Sequence, residues 1–167
     1  MEATTGSQGL VRFGALAFEC ALGKSGITGD KREGDHATPA GRFPLRALFY
    51  RADKGDAPAC PLPTQQIDPL DGWCDADSDD KYNRYVRLPF TASHETLWRD
   101  DDLYDLLVVL GHNDAPVVAS GGSCIFLHVA REDYAPTEGC VALKRADLVT
   151  LLSALDADSQ IDIRLPG

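Results

Sequence analysis

Short apolar runs of strand length recur from one end of this chain to the other, and one stretch alone carries helical period. "LVRF" and "LAFECAL" alternate with period two on either side of Gly14 and predict a hairpin; "GRFPLRALFY", "YNRYVRLPF" and the closing "IDIRL" predict further strands. "LLVVLGHND", "CIFLHVA" and "GCVAL" contain continuous apolar runs, the pattern of strands covered on both faces. The exception is "RADLVTLLSALDA", in which Leu148, Val149, Leu151, Leu152 and Leu155 fall on one helical face. "ETLWRDDDLYD" predicts a short helix or turn. The expectation is a mainly β domain with one or two helices.

At 167 residues the chain has the size of one domain, spanning 1–167, able to bury a core without disulfides or metal. Residues 51–80 are rich in Pro, Asp and Ala with little periodicity, and predict a long surface excursion of the kind that walls or covers a site. There is no internal repeat and no low-complexity linker.

A formal charge of −10 and a pI near 4.7 argue against nucleic-acid phosphates and anionic membrane as partners, since both need a basic face. The acidic stretches "DPLDGWCDADSDD" and "RDDDLYD" predict solvated loop and helix-start charge, and their spacing does not match an EF-hand loop. Arg12 and Glu19 interrupt the first apolar run, which predicts neither a signal peptide nor a membrane helix. The expected location is therefore cytoplasmic, with the periplasm as the alternative if a leader has been removed. Five cysteines, Cys20, Cys60, Cys74, Cys124 and Cys140, without a C-x-x-C pair, point away from a disulfide framework or zinc ribbon. His112, His128, Cys124 and Cys140 lack compact ligand spacing, so neither a metal nor another cofactor is expected.

"FLHVAREDYAPTEGCVAL" sets one histidine and one cysteine on two apolar runs joined by a polar segment. Along "CIFLHVA", Ile125, Leu127 and Val129 face one way, and Cys124, Phe126, His128 and Ala130 the other. Taken singly, His128 is as readily a hydrogen-bonded core residue as a base, and Cys140 a small buried hydrophobe. Their surroundings add chemistry. Gly139 before Cys140 lets the backbone approach a substrate carbonyl and present N–H groups to an oxyanion, and His128 can take a thiol proton. Thr137 and Glu138 stand at the exposed mouth of that strand.

The same stretch resembles the active-site motif of the L,D-transpeptidase catalytic domain (YkuD domain) family: a strand histidine, a connecting loop, then Ser/Thr-His-Gly-Cys, here His128 followed by Thr137-Glu138-Gly139-Cys140. An earlier block, "KREGDHATPAGRFPL", resembles the family's Thr-Pro-x-Gly-x-Phe motif through Thr38, Pro39, Gly41 and Phe43. The two blocks occur in the family's order and bracket most of the chain, so the resemblance extends at domain scale over roughly residues 10–143. The resemblance implies a sandwich-like β fold and acyl transfer on peptidoglycan stem peptides, with Cys140 as nucleophile and His128 as base. It implies a peptidoglycan stem peptide or muropeptide as partner. Removal of the terminal D-alanine from a tetrapeptide (L,D-carboxypeptidase action) is favoured, with cross-linking by L,D-transpeptidation as the alternative.

The departures from the family pattern are Glu138 in place of its second histidine, Ala142 in place of Arg or Asn, and a short His-to-Cys loop. They leave a catalytically silent wall-binding module as a further alternative. Glu138 is expected to orient His128 or substrate, or else to be a solvated turn residue. Thr137, Arg131, His112 and Asn113 are candidate substrate contacts, although Arg131 fits a surface ion pair and "GHND" a capped turn. His36, in the Thr-Pro loop, reads as incidental, and His94 as a helix-start polar residue.

Overall fold

The computed structural model describes residues 2–166. Its strands are β1 (Glu2–Thr5), β2 (Gln8–Phe13), β3 (Leu16–Ala21), β4 (Ile27–Thr28), β5 (Thr38–Pro39), β6 (Gly41–Tyr50) and β7 (Thr64–Gln66). They continue as β8 (Asp71–Cys74), β9 (Tyr85–Arg87), β10 (His94–Thr96), β11 (Leu106–Leu110), β12 (Phe126–Val129), β13 (Val141–Leu143) and β14 (Gln160–Ile163). The one α-helix among the described residues, α1 (Arg145–Ala154), stands where helical period predicts it, and a 3-10 turn spans Asp102–Tyr104. The protein is mainly β, and among the described residues no helix is long and apolar enough to cross a membrane.

Among the described residues nine strands form the main sheet, in the order β1-β2-β3-β13-β12-β11-β6-β14, with β7 paired to the other half of β6. The hairpin predicted at Gly14 is β2–β3, whose tight turn uses the left-handed backbone of that glycine, φ 57°. All five residues of β11, Leu-Leu-Val-Val-Leu, are buried, as a central strand covered on both sides requires. On one face α1 lays Leu148, Leu151 and Leu152 over Val108, Leu127, Val141 and Leu143. On the other, Phe49, Leu107, Val109 and Phe126 pack with Tyr104, Leu97 and Trp73 beneath a small sheet of order β10-β8-β9. This second layer makes the fold sandwich-like and gives the central strands an enclosed face.

Residues 51–80 depart from a plain surface excursion. Ile67, Asp71 and Cys74 are buried, and β8 is the central strand of the small sheet. Asp71 is not solvated either. Its carboxylate accepts hydrogen bonds from the Tyr85 hydroxyl, Arg87 and the Asp68 N–H, so its charge is paired inside the second layer. Four residues reading Asp-Gly-Trp-Cys offer no alternation by which such a strand could be foreseen. Likewise, "ETLWRDDDLYD" begins as β10 and becomes helical only at its 3-10 turn.

Candidate active site

β12 and β13 are adjacent and parallel, with His128 opposite Ala142. Alternation then puts Cys140 on the His128 face, one step back beside Phe126. Both side chains line a cleft of about 400 Å³, whose other walls include Lys31, His36, Glu95, Tyr104 and Glu138.

The turn before Cys140 is held from several directions. Gly139 has φ 136°, which L side chains rarely adopt, and a Cβ there would lie 3.0 Å from the Ala37 carbonyl oxygen. Its N–H donates to the Thr137 hydroxyl at 3.2 Å, so the expected oxyanion contact gives way at this N–H to closure of the turn. The Thr137 hydroxyl in turn donates to the Cys140 carbonyl at 2.7 Å. Thr38, from the Thr-Pro block, donates to the same carbonyl at 3.2 Å and accepts the Gly23 N–H at 2.8 Å. Thr137 thus stands in the cleft wall with its hydroxyl engaged in positioning Cys140.

The Cys140 Sγ accepts the Phe126 N–H at 3.4 Å and donates to the Cys124 carbonyl at 3.2 Å. Burial pushes this thiol up to about 12; the Glu95 carboxylate adds to the rise, while the Phe126 N–H and the Lys31 ammonium oppose it. His128 is buried, and its Nδ1–H donates to the Val129 carbonyl at 2.8 Å, which leaves the lone pair on Nε2. The Tyr104 ring meets the imidazole edge-on with centroids 5.3 Å apart. Burial depresses the imidazole to about 4, against the carbonyls of Val129 and Leu103, which favour its protonated form. At neutral pH the resting pair is therefore a thiol and a neutral imidazole.

The ring of His128 is oriented by the Val129 carbonyl and not by Glu138. Glu138 lines the cleft with a largely exposed side chain, and its carboxylate joins Lys24, at 3.2 Å, to Nδ1 of His36. Arg131 also lines the cleft, half exposed and 3.8 Å from Asp101. His112 and Asn113 are not among its lining residues. His112 Nε2 bonds the Gly121 carbonyl at 2.9 Å, while the Asn113 amide brackets Val118 and Gly122, so both fix the loop between β11 and β12.

Sequence reasoning missed three groups in this cleft. Glu95 accepts the Tyr104 hydroxyl, and Lys31, almost fully buried and paired with Asp35, places its ammonium near Gly139. Lys31 opens the Thr-Pro block and could have been found there; Glu95 and Tyr104 lie in unpatterned sequence. Among the described residues, no group of three or more His, Cys, Asp or Glu is placed to hold a metal ion.

Residues 7–163 match the L,D-transpeptidase catalytic domain family, YkuD. The chain belongs to that family. Its chemistry is accordingly L,D-transpeptidase-type acyl transfer from a cysteine, with peptidoglycan as substrate. No curated protein and no solved structure matches this L,D-transpeptidase domain.

Proposed function

We propose that this L,D-transpeptidase domain acts as an L,D-carboxypeptidase, removing the terminal D-alanine from a tetrapeptide stem with Cys140 as nucleophile and His128 as base. The observation that carries the assignment is the shared sheet face of these two residues in one cleft, with the imidazole tautomer set by Val129.

Because the resting thiol is protonated, attack and proton transfer occur together: Sγ bonds the carbonyl carbon at the L-centre as Nε2 of His128 takes its proton. The imidazolium so formed faces the carbonyls of Val129 and Leu103, which favour it. Collapse of the tetrahedral intermediate breaks the C–N bond, and His128 returns the proton to the departing D-alanine amine. The thioester on Cys140 then yields to water or to an amine. Water is the simpler acceptor: hydrolysis needs no second stem at the thioester, whereas cross-linking does. A soluble muropeptide in the cytoplasm fits this reading.

Incubation with a purified disaccharide-tetrapeptide tests it. The expected product is the tripeptide plus one D-alanine by mass, formed by the parent and absent with Cys140→Ala. A dimeric product in place of the tripeptide would assign the protein to cross-linking, and a bound but unchanged tetrapeptide would make it a wall-binding module.

A further inference from the structure

The exposed end of the cleft carries a second imidazole. His36 and Glu138 both line it, and the His36 Nδ1 meets the Glu138 carboxylate, which leaves the His36 lone pair on Nε2. The segment bearing His36 runs directly beside the nucleophile turn. Thr38 bonds the Cys140 carbonyl, and the Ala37 carbonyl occupies the space a Gly139 side chain would need.

His36 is also held in an unfavourable backbone conformation, φ 56°, rarely adopted by a residue with a side chain. The surroundings enforce it. Asp35 accepts the N–H groups of Arg32 and Ala37, the His36 carbonyl accepts the Ser25 N–H at 3.1 Å, and a Cβ on Gly23 would sit 2.4 Å from that carbonyl oxygen. A hydrogen bond between side chains as exposed as these contributes little to stability and does not offset the strain. Strained backbone that places a titratable ring in a cleft is the pattern of a functional site.

His128, by contrast, is buried against Tyr104, whereas His36 stands at the exposed end of the same cleft that holds Cys140. We propose that His36, oriented by Glu138, is a second catalytic base, which deprotonates the nucleophile that resolves the Cys140 thioester. This rests on the acyl-transfer reading above. Nε2 of His36 takes a proton from the incoming O–H or N–H as its lone pair bonds the thioester carbonyl carbon. The C–S bond then breaks, and its electron pair returns to Sγ. The His36 proton leaves to solvent at the open mouth, and the thiolate takes one proton from solvent in its place, so that both imidazoles end neutral as they began. Each histidine thereby serves one half of the reaction, and Glu138 is a positioning residue for His36.

The test separates the two halves on the full chain. His36→Asn suits left-handed backbone and removes the base; His36→Gly does the same and leaves room for a free imidazole. With tetrapeptide substrate and acid quench, the parent is expected to turn over with little acyl-enzyme. His36→Asn is expected to release one D-alanine per enzyme in a burst, accumulate the Cys140 adduct by intact mass, and turn over about 10²-fold more slowly. Added imidazole is expected to restore His36→Gly, and Glu138→Gln to accumulate the same adduct to a smaller extent. Parent-like turnover in His36→Asn, or loss of its burst while thermal unfolding matches the parent, would overturn the assignment. A parent that never acylates Cys140 overturns the acyl-transfer reading itself, and the role of His36 with it.

Discussion

The Thr38 hydroxyl donates to the Cys140 carbonyl at 3.2 Å, joining residues 102 positions apart in sequence. The same hydroxyl accepts the Gly23 N–H, so one buried side chain ties three segments at the base of the Cys140 turn. Thr38→Val keeps the shape, leaves that N–H without its acceptor, and deprives the carbonyl of one of two donors. The expected cost is about 1–3 kcal/mol of stability, with a fall in turnover that Thr38→Ser does not show. Denaturant unfolding and D-alanine release measured on both variants check this.

Gly139→Ala introduces a Cβ at φ 136° and 3.0 Å from the Ala37 carbonyl oxygen. Backbone strain of roughly 1–3 kcal/mol, together with that contact, is expected to displace Cys140 and abolish turnover before it abolishes folding. A folded Gly139→Ala protein with parent activity would show that the turn tolerates a side chain.

Cys140 is expected to react slowly with iodoacetamide at neutral pH and faster as the pH rises toward about 12, because burial and the Glu95 carboxylate both hold the proton on sulfur. Glu95→Gln removes a charge that disfavours the thiolate and is expected to speed alkylation. A slower rate in that variant would contradict the electrostatic role of Glu95.

His128 gives stability a pH dependence of definite sign. Its folded-state value, about 4, lies below the ordinary 6.5, so the unfolded chain binds a proton between these values that the folded protein excludes. The contribution is fully present above pH 6.5 and is lost as the pH falls toward 4. The slope is at most about 1.4 kcal/mol per pH unit from this one group. His112, also depressed by burial, adds in the same direction. Unfolding free energies measured between pH 7 and 4 are expected to fall less steeply in His128→Gln than in the parent.

Cys140→Ala is expected to abolish D-alanine release with folding retained, and His128→Ala to slow it by on the order of 10² to 10⁴. Cys124→Ala separates the thiols. If activity followed Cys124 and not Cys140, the nucleophile would lie on the other side of the Sγ contact with the Cys124 carbonyl.

Local pattern announced the elements whose burial is repetitive. The Gly14 hairpin, the all-apolar β11 and the Leu148–Leu152 face of α1 each leave a periodic mark that needs no knowledge of partners. The second layer left none, because β8 and β10 are short and polar and acquire their buried faces only from the strands they meet. The cleft divides the same way. His128 and Cys140 stand on apolar strands and are visible by contrast, whereas Glu95, Tyr104 and Lys31 arrive from segments distant in sequence. His36 looked incidental because nothing in "DHATP" shows that Glu138, 102 positions later, will meet it. Glu138 itself was tied to the nearer histidine for the same reason: sequence shows proximity along the chain and hides proximity across it.

The parallel pairing of β12 with β13 carries a consequence for how this protein can vary. Neighbouring strands sit at a fixed separation of about 4.8 Å, so the sheet itself is the ruler that spaces thiol from imidazole. Residues 130–136 carry the chain from one strand toward the next, and Arg131, Ala135 and Pro136 of that crossover line the cleft. Length and side chains there can drift, or be exchanged by design, without moving Cys140 relative to His128. The rim of the cleft can thus be rebuilt in the loop while the strand pairing beneath it stays fixed.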